Sequence, residues 1–355
     1  MYMLKDYVLY EDLKTIAESE LPFEELYNKR IMVTGATGLV GSQLVKALLV
    51  MNELSNANIS VVAVVRNEDK AKEIFNEFDT DKLELYVWDI TKVAEYDGDV
   101  DYIVHAASPT SSKYFVESPV ETILTAINGT NNVLELAKKK DIDGMVYLSS
   151  MEAFGITDNT LESVKEEDLG YIDVLNVRSS YSEGKRICEC LCASYSKEYI
   201  VNVKIARLAQ TFGAGVLKSE NRVFAQFARS AVKRENIVLH TEGKSVGNYC
   251  YTRDAIKGIL LLLIRGNSGE AYTVANEKSN MQIRDMAQMV AKEIASGEID
   301  VIFDIPEDAL TYGYAPDVRM KLNSDKLQAL GWKPEVDMIE SYKRMIESMK
   351  VMDNV

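Results

Sequence analysis

Apolar residues in the first half of the chain recur as short unbroken runs, and longer stretches with helical spacing separate these runs. The runs predict strands over 31–33, 60–65, 83–87, 102–105 and 144–148. The stretches between them predict helices over 39–54, 68–78 and 120–139. Strands that are apolar on both faces are typical of a parallel sheet covered by helices on each side. The pattern therefore predicts an α/β fold, a Rossmann-type doubly wound parallel sheet.

Composition and charge exclude several classes of protein. The 355 residues are 47% hydrophobic and 27% charged, which is enough apolar material for a folded protein with a substantial core. A formal net charge of −15 disfavours nucleic acid and anionic membranes as partners, so any anionic ligand must be held by local groups. The N-terminus lacks the features of a signal peptide, and the longest apolar run, 259–264, is too short to span a bilayer. We expect a cytoplasmic protein.

The four cysteines do not have the spacing of a metal site. Cys188, Cys190 and Cys192 recur at every second residue of a predicted helix, which spreads their side chains around it, and Cys250 is distant in sequence. Only two histidines are present to complete a ligand set. We predict no metal and interpret the cysteines as small buried side chains in a reducing compartment.

A glycine-rich turn follows the first predicted strand and opens the first long helix. In this context the first glycine permits a tight turn, the second lets the backbone approach phosphate, and the third lets the helix pack on the strand. The free N–H groups of the helix N-terminus can then hold a pyrophosphate. The segment predicts a bound dinucleotide, with contacts from Gly35, Thr37, Gly38, Leu39, Val40 and Gly41.

The end of the second strand distinguishes NAD from NADP, because a carboxylate accepts from a ribose hydroxyl whereas a guanidinium pairs with a 2′-phosphate. Arg66 and Asn67 occupy this place. We therefore expect NAD(P), with NADP favoured by Arg66, which could otherwise stack on adenine or be a solvated charge at a helix start. Asp89 and Ile90 are expected near the adenine. The pyrophosphate and ribose are expected along Ala106, Ala107 and Ser108, beside His105, which we interpret as a packing residue.

Tyr181 and Lys185 lie one helical turn apart and share a helix face. A phenol has an ordinary pKa of about 10, so Tyr181 can act as a base near neutrality only if its anion is favoured. The positive charge of Lys185 can favour that anion and so lower the pKa of the phenol. Ser150, at the end of a predicted strand, would share the hydrogen bond to a substrate hydroxyl. Taken alone, the Tyr–Lys spacing also fits an exposed helix face.

Taken in order, these segments resemble the extended short-chain dehydrogenase/reductase family, in particular its nucleotide-sugar epimerases, 4,6-dehydratases and glucuronate decarboxylases. The resemblance runs from about Arg30 to Trp332 and rests on 34–41, 105–109, 149–155, 181–185, 206–207, 212–213 and 330–332. It implies an NAD(P)-dependent nucleotide-sugar epimerase or dehydratase-like enzyme that works through a transient keto-sugar intermediate. The alternatives are an NADP-dependent keto-sugar reductase, a nucleotide-sugar decarboxylase and a non-catalytic dinucleotide-sensing protein.

The resemblance also implies roles for further residues. Glu152 matches a base that removes the acidic hydrogen next to a sugar ketone, although it could instead cap or pair locally. The dehydratases have an aspartic acid just before this glutamate, and the thioether of Met151 cannot donate a proton, which disfavours ordinary 4,6-dehydration. The catalytic set is then Ser150, Glu152, Tyr181 and Lys185. Ser149, Leu208, Tyr181 and Lys185 complete the expected cofactor contacts.

Substrate contacts are expected from Ser108, Pro109, Thr110, Met151, Gln210, Arg222, His240 and Arg319. Gln210 stands where the family usually has asparagine, and Gly247 stands where relatives carry an arginine for the sugar diphosphate. Arg319, Arg222 or Lys321 would then have to hold that diphosphate. His240 stands where relatives often have an aromatic ring, and it could stack on the nucleobase or simply pack.

The same resemblance and the change in pattern after residue 148 predict the organisation of the chain. A dinucleotide-binding domain is expected over 29–210, with 251–277 returning to it. A smaller C-terminal substrate-binding lobe would contain 211–250 and 278–355, and 1–28 would be an N-terminal helical extension packed on the core. The helix after Tyr181, with Ile187, Leu191 and Ala193, resembles the surface on which relatives dimerise, so we expect a homodimer.

Overall fold

The computed structural model describes residues 4–78, 80–305 and 319–353. The helices are α1 (Tyr7–Ala17), α2 (Leu39–Ser55), α3 (Glu68–Ile74), α4 (Ser112–Glu117), α5 (Pro119–Lys140), α6 (Ser180–Tyr199), α7 (Val223–Lys233), α8 (Thr252–Arg265), α9 (Ile283–Met289), α10 (Asp325–Gln328) and α11 (Met338–Asp353). The strands are β1 (Arg30–Thr34), β2 (Ser60–Val65), β3 (Leu83–Val87), β4 (Tyr102–His105), β5 (Gly144–Ser150), β6 (Val203–Leu208), β7 (Gln210–Phe212), β8 (Ile237–Leu239), β9 (Val246–Tyr251), β10 (Ala271–Val274), β11 (Asn276–Gln282) and β12 (Val301–Phe303). Short 3-10 turns cover Phe23–Leu26, Met151–Phe154 and Val177–Ser179, and a π-helical turn over Val290–Ile294 continues α9.

A seven-stranded parallel sheet forms the centre of the fold, and it confirms the predicted doubly wound α/β class. Its strand order is β10-β6-β5-β4-β1-β2-β3, and every neighbouring pair is parallel. The order reverses direction at β1, so the carboxyl ends of β1 and β4 flank the crevice in which ligands bind in folds of this kind. The glycine turn follows β1 and therefore opens onto this crevice.

Both faces of the sheet are buried, because side chains alternate from one face to the other along each strand. Ile31 and Val33 of β1 pack into the core that contains α1, α2 and α8, whereas Met32 packs into the core that contains α5 and α6. Full burial of one such side chain contributes roughly 1.5–3 kcal/mol. This two-sided burial explains why the strands are apolar without alternation.

A third core lies outside the central sheet. Phe212 of β7 stacks on Phe224 of α7, with ring centroids 4.7 Å apart, and Tyr249 and Tyr342 pack beside them. The three-stranded sheet β11-β9-β7 and the pair β12-β8 belong to this part of the chain. Within 251–277, α8 packs on the central sheet and β10 forms its edge. The domain bounds themselves stay a prediction.

The N-terminal residues contain a helix that packs on the core. Leu13 and Ile16 of α1 are completely buried against neighbouring helices. Asp12 is buried beside them and accepts hydrogen bonds from the Tyr251 hydroxyl at 2.5 Å and from the Arg344 guanidinium at 3.1 Å. The segment is therefore anchored by apolar contacts on one side and by a buried carboxylate on the other.

Several element bounds differ from the expectations. The helix expected over 68–78 ends at Ile74, and Phe75 and Phe78 beyond it are buried in the core. Ile200 takes a left-handed conformation that ends α6, and β6 begins three residues later at Val203. β5 runs two residues past 148, to Ser150.

The burial expected for all four cysteines is wrong for Cys190, which is exposed, whereas Cys188, Cys192 and Cys250 are buried. In α6, residues four apart share a face, so Cys188 and Cys192 point into the core and Cys190 points away. None of the four forms a disulfide. No helix in 4–78, 80–305 or 319–353 combines the length and apolar character needed to cross a membrane.

Candidate active site

The glycine turn has no room for side chains at two of its positions. A Cβ added to Gly35, whose φ is 67°, would lie 2.8 Å from backbone atoms of Ala106 and Ala107. A Cβ added to Gly41 would lie 2.3 Å from the carbonyl oxygen of Gly35. Gly38 is the N-cap that precedes α2 and has no side chain to cap it, so the first N–H groups of this 17-residue helix remain available to an anion. This close-packed turn fits the pyrophosphate of a dinucleotide.

A buried hydrogen-bond chain supports the turn from below. Thr34 Oγ1 lies 2.7 Å from His105 Nδ1 and accepts from the Ala107 N–H at 3.2 Å. His105 Nε2 lies 3.2 Å from Thr130 Oγ1. Burial lowers the pKa of His105 to about 3, so the imidazole is neutral at ordinary pH. His105 thus joins β1, β4 and α5 at the base of the crevice.

Tyr181, at the start of α6, lies at the centre of the candidate site. Burial raises the pKa of its phenol to about 12, and this effect outweighs a hydrogen bond with Ser150 that acts in the opposite direction. The charge of Glu152 raises the same pKa and the charge of Arg222 lowers it. The ring of Tyr181 stacks on Phe115, with centroids 4.3 Å apart and planes 8° from parallel. The phenol is therefore held by stacking on its ring and hydrogen bonding at its hydroxyl.

Lys185 lies beneath this phenol and is buried. Its Nζ donates to the carbonyl oxygen of Leu148 at 2.7 Å and lies 5.6 Å from the centroid of the Tyr181 ring and 4.9 Å from that of Tyr147. Burial lowers the pKa of Lys185 to about 8. The pKa of Tyr181 lies above its ordinary value because desolvation of the phenol dominates. The expected effect of Lys185 on the phenol stays a prediction.

Glu152 lies next to the Ser150–Tyr181 pair. Its backbone N–H donates to Ser150 Oγ at 3.2 Å, and its Oε2 accepts from Arg178 Nη1 and from Ser182 Oγ, each at 3.2 Å. The side chains of Glu152 and Arg178 are each 32% exposed. Glu152 thus lies beside Ser150 and Tyr181, and it also has the local partners of the alternative interpretation.

Ser149 and Ser150 point to opposite sides of β5, as successive residues of a strand must. Ser149 Oγ donates to Glu189 Oε1 at 2.5 Å, away from Tyr181. Glu189 forms a buried ion pair with Arg207, whose Nη1 also donates to the carbonyl oxygen of Glu166 at 2.7 Å. The hydroxyl of Ser149 therefore belongs to a structural network behind the site, and only its backbone remains for the expected cofactor contact.

The residues expected at the adenosine end lie beyond β2 and β3. Arg66 is exposed, and Asn67 caps α3 by accepting from the Lys70 N–H at 2.9 Å. Asp89 accepts from the hydroxyl and the backbone N–H of Thr91, and these bonds lower the pKa of its carboxyl group. Arg66 also lowers that pKa, so the two charges lie near each other. The other expected cofactor residues are buried or partly buried: Thr37, Leu39, Val40, Ile90, Ala106, Ala107, Ser108 and Leu208.

The expected substrate residues lie in several places. Arg222 pairs with Glu220 through Nε at 3.0 Å and Nη2 at 2.7 Å, and it is near enough to Tyr181 to affect its pKa. His240 Nδ1 lies 2.9 Å from the Asp304 carbonyl oxygen on an exposed edge, and Arg319 is exposed.

The remaining expected substrate residues follow the ends of β4, β5 and β6. Ser108 Oγ donates to the Pro109 carbonyl oxygen at 3.2 Å, and Thr110 is exposed. Met151 and Gln210 are partly buried. The structure thus gathers Ser150, Glu152, Tyr181 and Lys185, and it places Arg222 near Tyr181.

Sequence reasoning missed three partners of this group: Arg178, Phe115 and Glu220. Arg178 lies on a 3-10 turn three residues before Tyr181. This closeness in sequence is the feature that could have pointed to it. Phe115 and Glu220 are remote in sequence and meet the site only through the fold. Among the described residues no group of three or more histidine, cysteine or acidic side chains could hold a metal ion.

Comparisons with known proteins agree with this geometry. The family model of the NAD dependent epimerase/dehydratase family matches residues 31–275, which is more than half of the chain. UDP-glucuronic acid decarboxylase 6 of Arabidopsis thaliana is 29% identical over 326 residues, covering 91% of this chain and 90% of that protein. UDP-glucuronic acid decarboxylase 1 of Xenopus tropicalis is 28% identical, covering 95% of this chain and 74% of that protein.

Solved structures show the same fold. A UDP-glucose 4-epimerase from Thermotoga maritima has a TM-score of 0.75 at 21% identity, covering 91% of this chain and 99% of that one. A dTDP-glucose 4,6-dehydratase from Bacillus anthracis, in complex with NAD, has a TM-score of 0.72 at 19% identity, covering 92% and 98%. The family match also supports the expected nicotinamide dinucleotide. The chain belongs to the NAD dependent epimerase/dehydratase family, and it is an enzyme of these extended short-chain dehydrogenases/reductases that act on nucleotide sugars.

Proposed function

We propose that this enzyme oxidises a nucleotide sugar to a transient keto-sugar, acts at the carbon next to the ketone, and then returns the hydride. The observation that carries this proposal is the continuous contact of Tyr181, Ser150 and Glu152 at the carboxyl end of β5. Hydride acceptance and return is the chemistry that a nicotinamide dinucleotide supplies when bound. The glycine turn Gly35–Gly41, with its free helix N-terminus, fits that group.

The hydroxyls of Ser150 and Tyr181 would receive the sugar hydroxyl that is oxidised. Because burial holds the pKa of Tyr181 at about 12, its phenolate is a minor form at neutral pH. Proton acceptance by this phenol therefore requires that its own proton leave first. Lys185 is positively charged below pH 8 and lies against the ring of Tyr181, so it would favour the phenolate by charge.

Glu152 would act in the second step. A ketone acidifies the hydrogen on each neighbouring carbon, and a carboxylate beside Ser150 could remove it. Arg178 and Ser182 hold Glu152 with hydrogen bonds that its ionised form accepts. Removal of the hydrogen by Glu152 and delivery of a proton from solvent to the opposite face of that carbon would give epimerisation. Loss of a leaving hydroxyl would need an acid that Met151 cannot provide.

Decarboxylation of a uronic acid sugar is the second candidate. It is favoured by relatives named UDP-glucuronic acid decarboxylases, which match over most of this chain at 28–29% identity. A carboxylate on the carbon next to a ketone can leave as carbon dioxide, with the electron pair of the broken bond delocalised onto the ketone oxygen. A proton then returns to that carbon. Glu152 would take this proton from solvent and deliver it to the carbon, rather than remove one from the sugar.

Arg66 is the basis on which we propose a preference for NADP over NAD. Its guanidinium is exposed after β2 and would pair with a 2′-phosphate. Asp89 lies close enough to weaken that preference, because its ionised carboxylate repels phosphate. Comparing dissociation constants of NAD and NADP for the wild type and Arg66→Gln tests this point. Equal loss for both dinucleotides, or no loss, would contradict it.

We also propose a homodimer formed over α5 and α6. Val120 and Leu124 of α5 and Ile187 of α6 are 60%, 49% and 47% exposed, and α5 packs against α6. Light scattering at micromolar protein would show twice the monomer mass, and replacing Leu124 and Ile187 with glutamate should halve it. The free cysteines fit a reducing compartment, so we propose that the enzyme works in the cytoplasm.

The enzyme proposal is tested with UDP-, CDP-, GDP- and dTDP-linked sugars in heavy water. Deuterium incorporation next to the oxidised carbon, without net consumption of cofactor, supports a recycled keto-sugar mechanism. Stoichiometric consumption of added NADPH would instead support the reductase alternative. Dinucleotide binding with no exchange, ketone or product from any sugar would leave only the sensing alternative.

A further inference from the structure

We infer that Arg178 recognises a carboxylate on the sugar, so that the substrate is a nucleotide-linked uronic acid. The inference rests on the proposed function and names its substrate class. Arg178 donates to Glu152 through Nη1 at 3.2 Å, and this is the only hydrogen bond that the described residues give its guanidinium. Nε and Nη2 therefore remain as donors, and together they match the two oxygens of a carboxylate.

The other cations around Tyr181 are already engaged. Lys185 Nζ is buried and donates to the Leu148 carbonyl oxygen. Arg222 is paired through Nε and Nη2 with the carboxylate of Glu220. Arg186 donates through Nε and Nη2 to backbone carbonyl oxygens. Within the described part of the chain, Arg178 is the cation beside Glu152 that keeps a pair of donors for a ligand.

The position of Arg178 matches the place of a uronate carboxylate. The Ser150–Tyr181 pair marks the hydroxyl that is oxidised, and Glu152, bonded to Ser150, marks the neighbouring carbon. The Arg178 guanidinium donates to Glu152 Oε2, so it lies one hydrogen bond away from the residue that marks this carbon. A carboxylate attached to the same carbon would therefore lie within reach of the Arg178 guanidinium.

Charge strengthens the argument. With a net charge of −15, the protein repels an anionic sugar unless a local cation receives it. Glu152 would itself repel the carboxylate of the sugar, and its ion pair with Arg178 reduces that repulsion. When the uronate binds, Arg178 can bridge both carboxylates, because its two remaining donors leave Nη1 on Glu152. The same residue thus lowers the electrostatic cost of placing the uronate beside Glu152.

The test compares UDP-glucuronic acid with UDP-glucose, which has a hydroxymethyl group in place of the carboxylate. Dissociation constants are measured by calorimetry on the full-length protein for the wild type, Arg178→Met, Arg178→Lys and the control Lys165→Gln. Lys165 is an exposed positive charge in the same loop. UDP-glucose binding and a melting curve report whether each variant is folded.

The wild type should prefer UDP-glucuronic acid. Arg178→Met should weaken uronate binding by about tenfold or more and change UDP-glucose binding by less than about twofold. Arg178→Lys should restore part of the preference, and Lys165→Gln should keep all of it. Equal weakening of both sugars by Arg178→Met would overturn the inference, because it would show that Arg178 only positions Glu152. A wild type without preference for the uronate, including one that binds neither sugar, would also overturn it.

The two proposals fail in different ways. Exchange of deuterium into a neutral nucleotide sugar, with no preference for a uronate, would remove the inference and leave the proposed function intact. Uronate binding that depends on Arg178, with no ketone, exchange or product from any sugar, would remove the proposed function instead.

Discussion

Replacing Arg207 alone should destabilise the protein more than replacing both members of its ion pair. Arg207 donates to Glu189 through Nη2 at 2.8 Å and through Nε at 3.0 and 3.2 Å. The two side chains are only 6% and 9% exposed. Ser149 adds a further hydrogen bond to Glu189 at 2.5 Å. Removing the guanidinium would thus leave a carboxylate buried with one neutral donor.

The magnitude follows from this burial. Removing one partner of a buried ion pair typically costs about 3–5 kcal/mol, because the remaining charge is uncompensated. Replacing both with apolar residues of similar volume removes the desolvation cost as well, and such replacements are often close to neutral. We expect Arg207→Met to cost about 3–5 kcal/mol and the double variant Glu189→Leu/Arg207→Met to cost at least about 2 kcal/mol less.

The assay is a double-mutant cycle by urea unfolding, with melting temperatures as an independent measure. Because Arg207 also holds the Glu166 carbonyl oxygen, the single variant should reduce activity through the loop that carries Arg178. Glu152→Gln is a useful control, because it removes a carboxylate from a pair that is 32% exposed and should cost far less stability. A double variant whose loss equals the sum of the two single losses would refute the reasoning.

Two further predictions concern the glycine turn and a buried lysine. Gly41→Ala should abolish dinucleotide binding, because the added Cβ would lie 2.3 Å from the Gly35 carbonyl oxygen. The control Gly184→Ala should leave binding intact, because its added Cβ would lie 3.5 Å from the Cβ of Ala126. Equal affinities of the two variants in calorimetry would contradict this prediction. Burial lowers the pKa of Lys204 from 10.5 to about 8. The unfolded chain therefore binds the extra proton between these values, and stability should rise with pH from 8 toward 10.5. Lys204→Met should reduce that slope by up to about 1.4 kcal/mol per pH unit in urea unfolding, and an unchanged slope would exclude the assignment.

Much of the central sheet could be predicted because its inner strands are buried on both faces. In β1, β2 and β4 most residues are apolar, and the observed bounds lie within one residue of the expected ones. The glycine turn could be predicted equally well, because the contact between Gly41 and Gly35 is local in sequence and leaves no room for a side chain at position 41. These features depend on short-range geometry, which the sequence encodes directly.

Features that depend on tertiary contacts could not be predicted from the sequence. Burial raises the pKa of Tyr181, and its ring stacks on Phe115, a residue 66 positions away; no periodic pattern reveals either feature. Ser149 and Ser150 look equivalent in sequence, but the direction of each depended on a strand that extended further than its apolar run. Arg178 pairs with Glu152 only after the loop between β5 and α6 has folded back.

The central claim is that oxidation at Tyr181 and chemistry beside Glu152 are successive steps on one sugar. In the most direct measurement, the wild type, Glu152→Gln and Tyr181→Phe are each incubated with the nucleotide sugar that the enzyme turns over. The ketone is trapped with borodeuteride, and a parallel reaction in heavy water measures the solvent deuterium incorporated into the sugar. The wild type should give both signals, and Glu152→Gln should give trapped ketone with solvent exchange reduced by about a hundredfold or more. Tyr181→Phe should give neither. Undiminished exchange in Glu152→Gln, or ketone formation by Tyr181→Phe at the wild-type rate, would contradict the account.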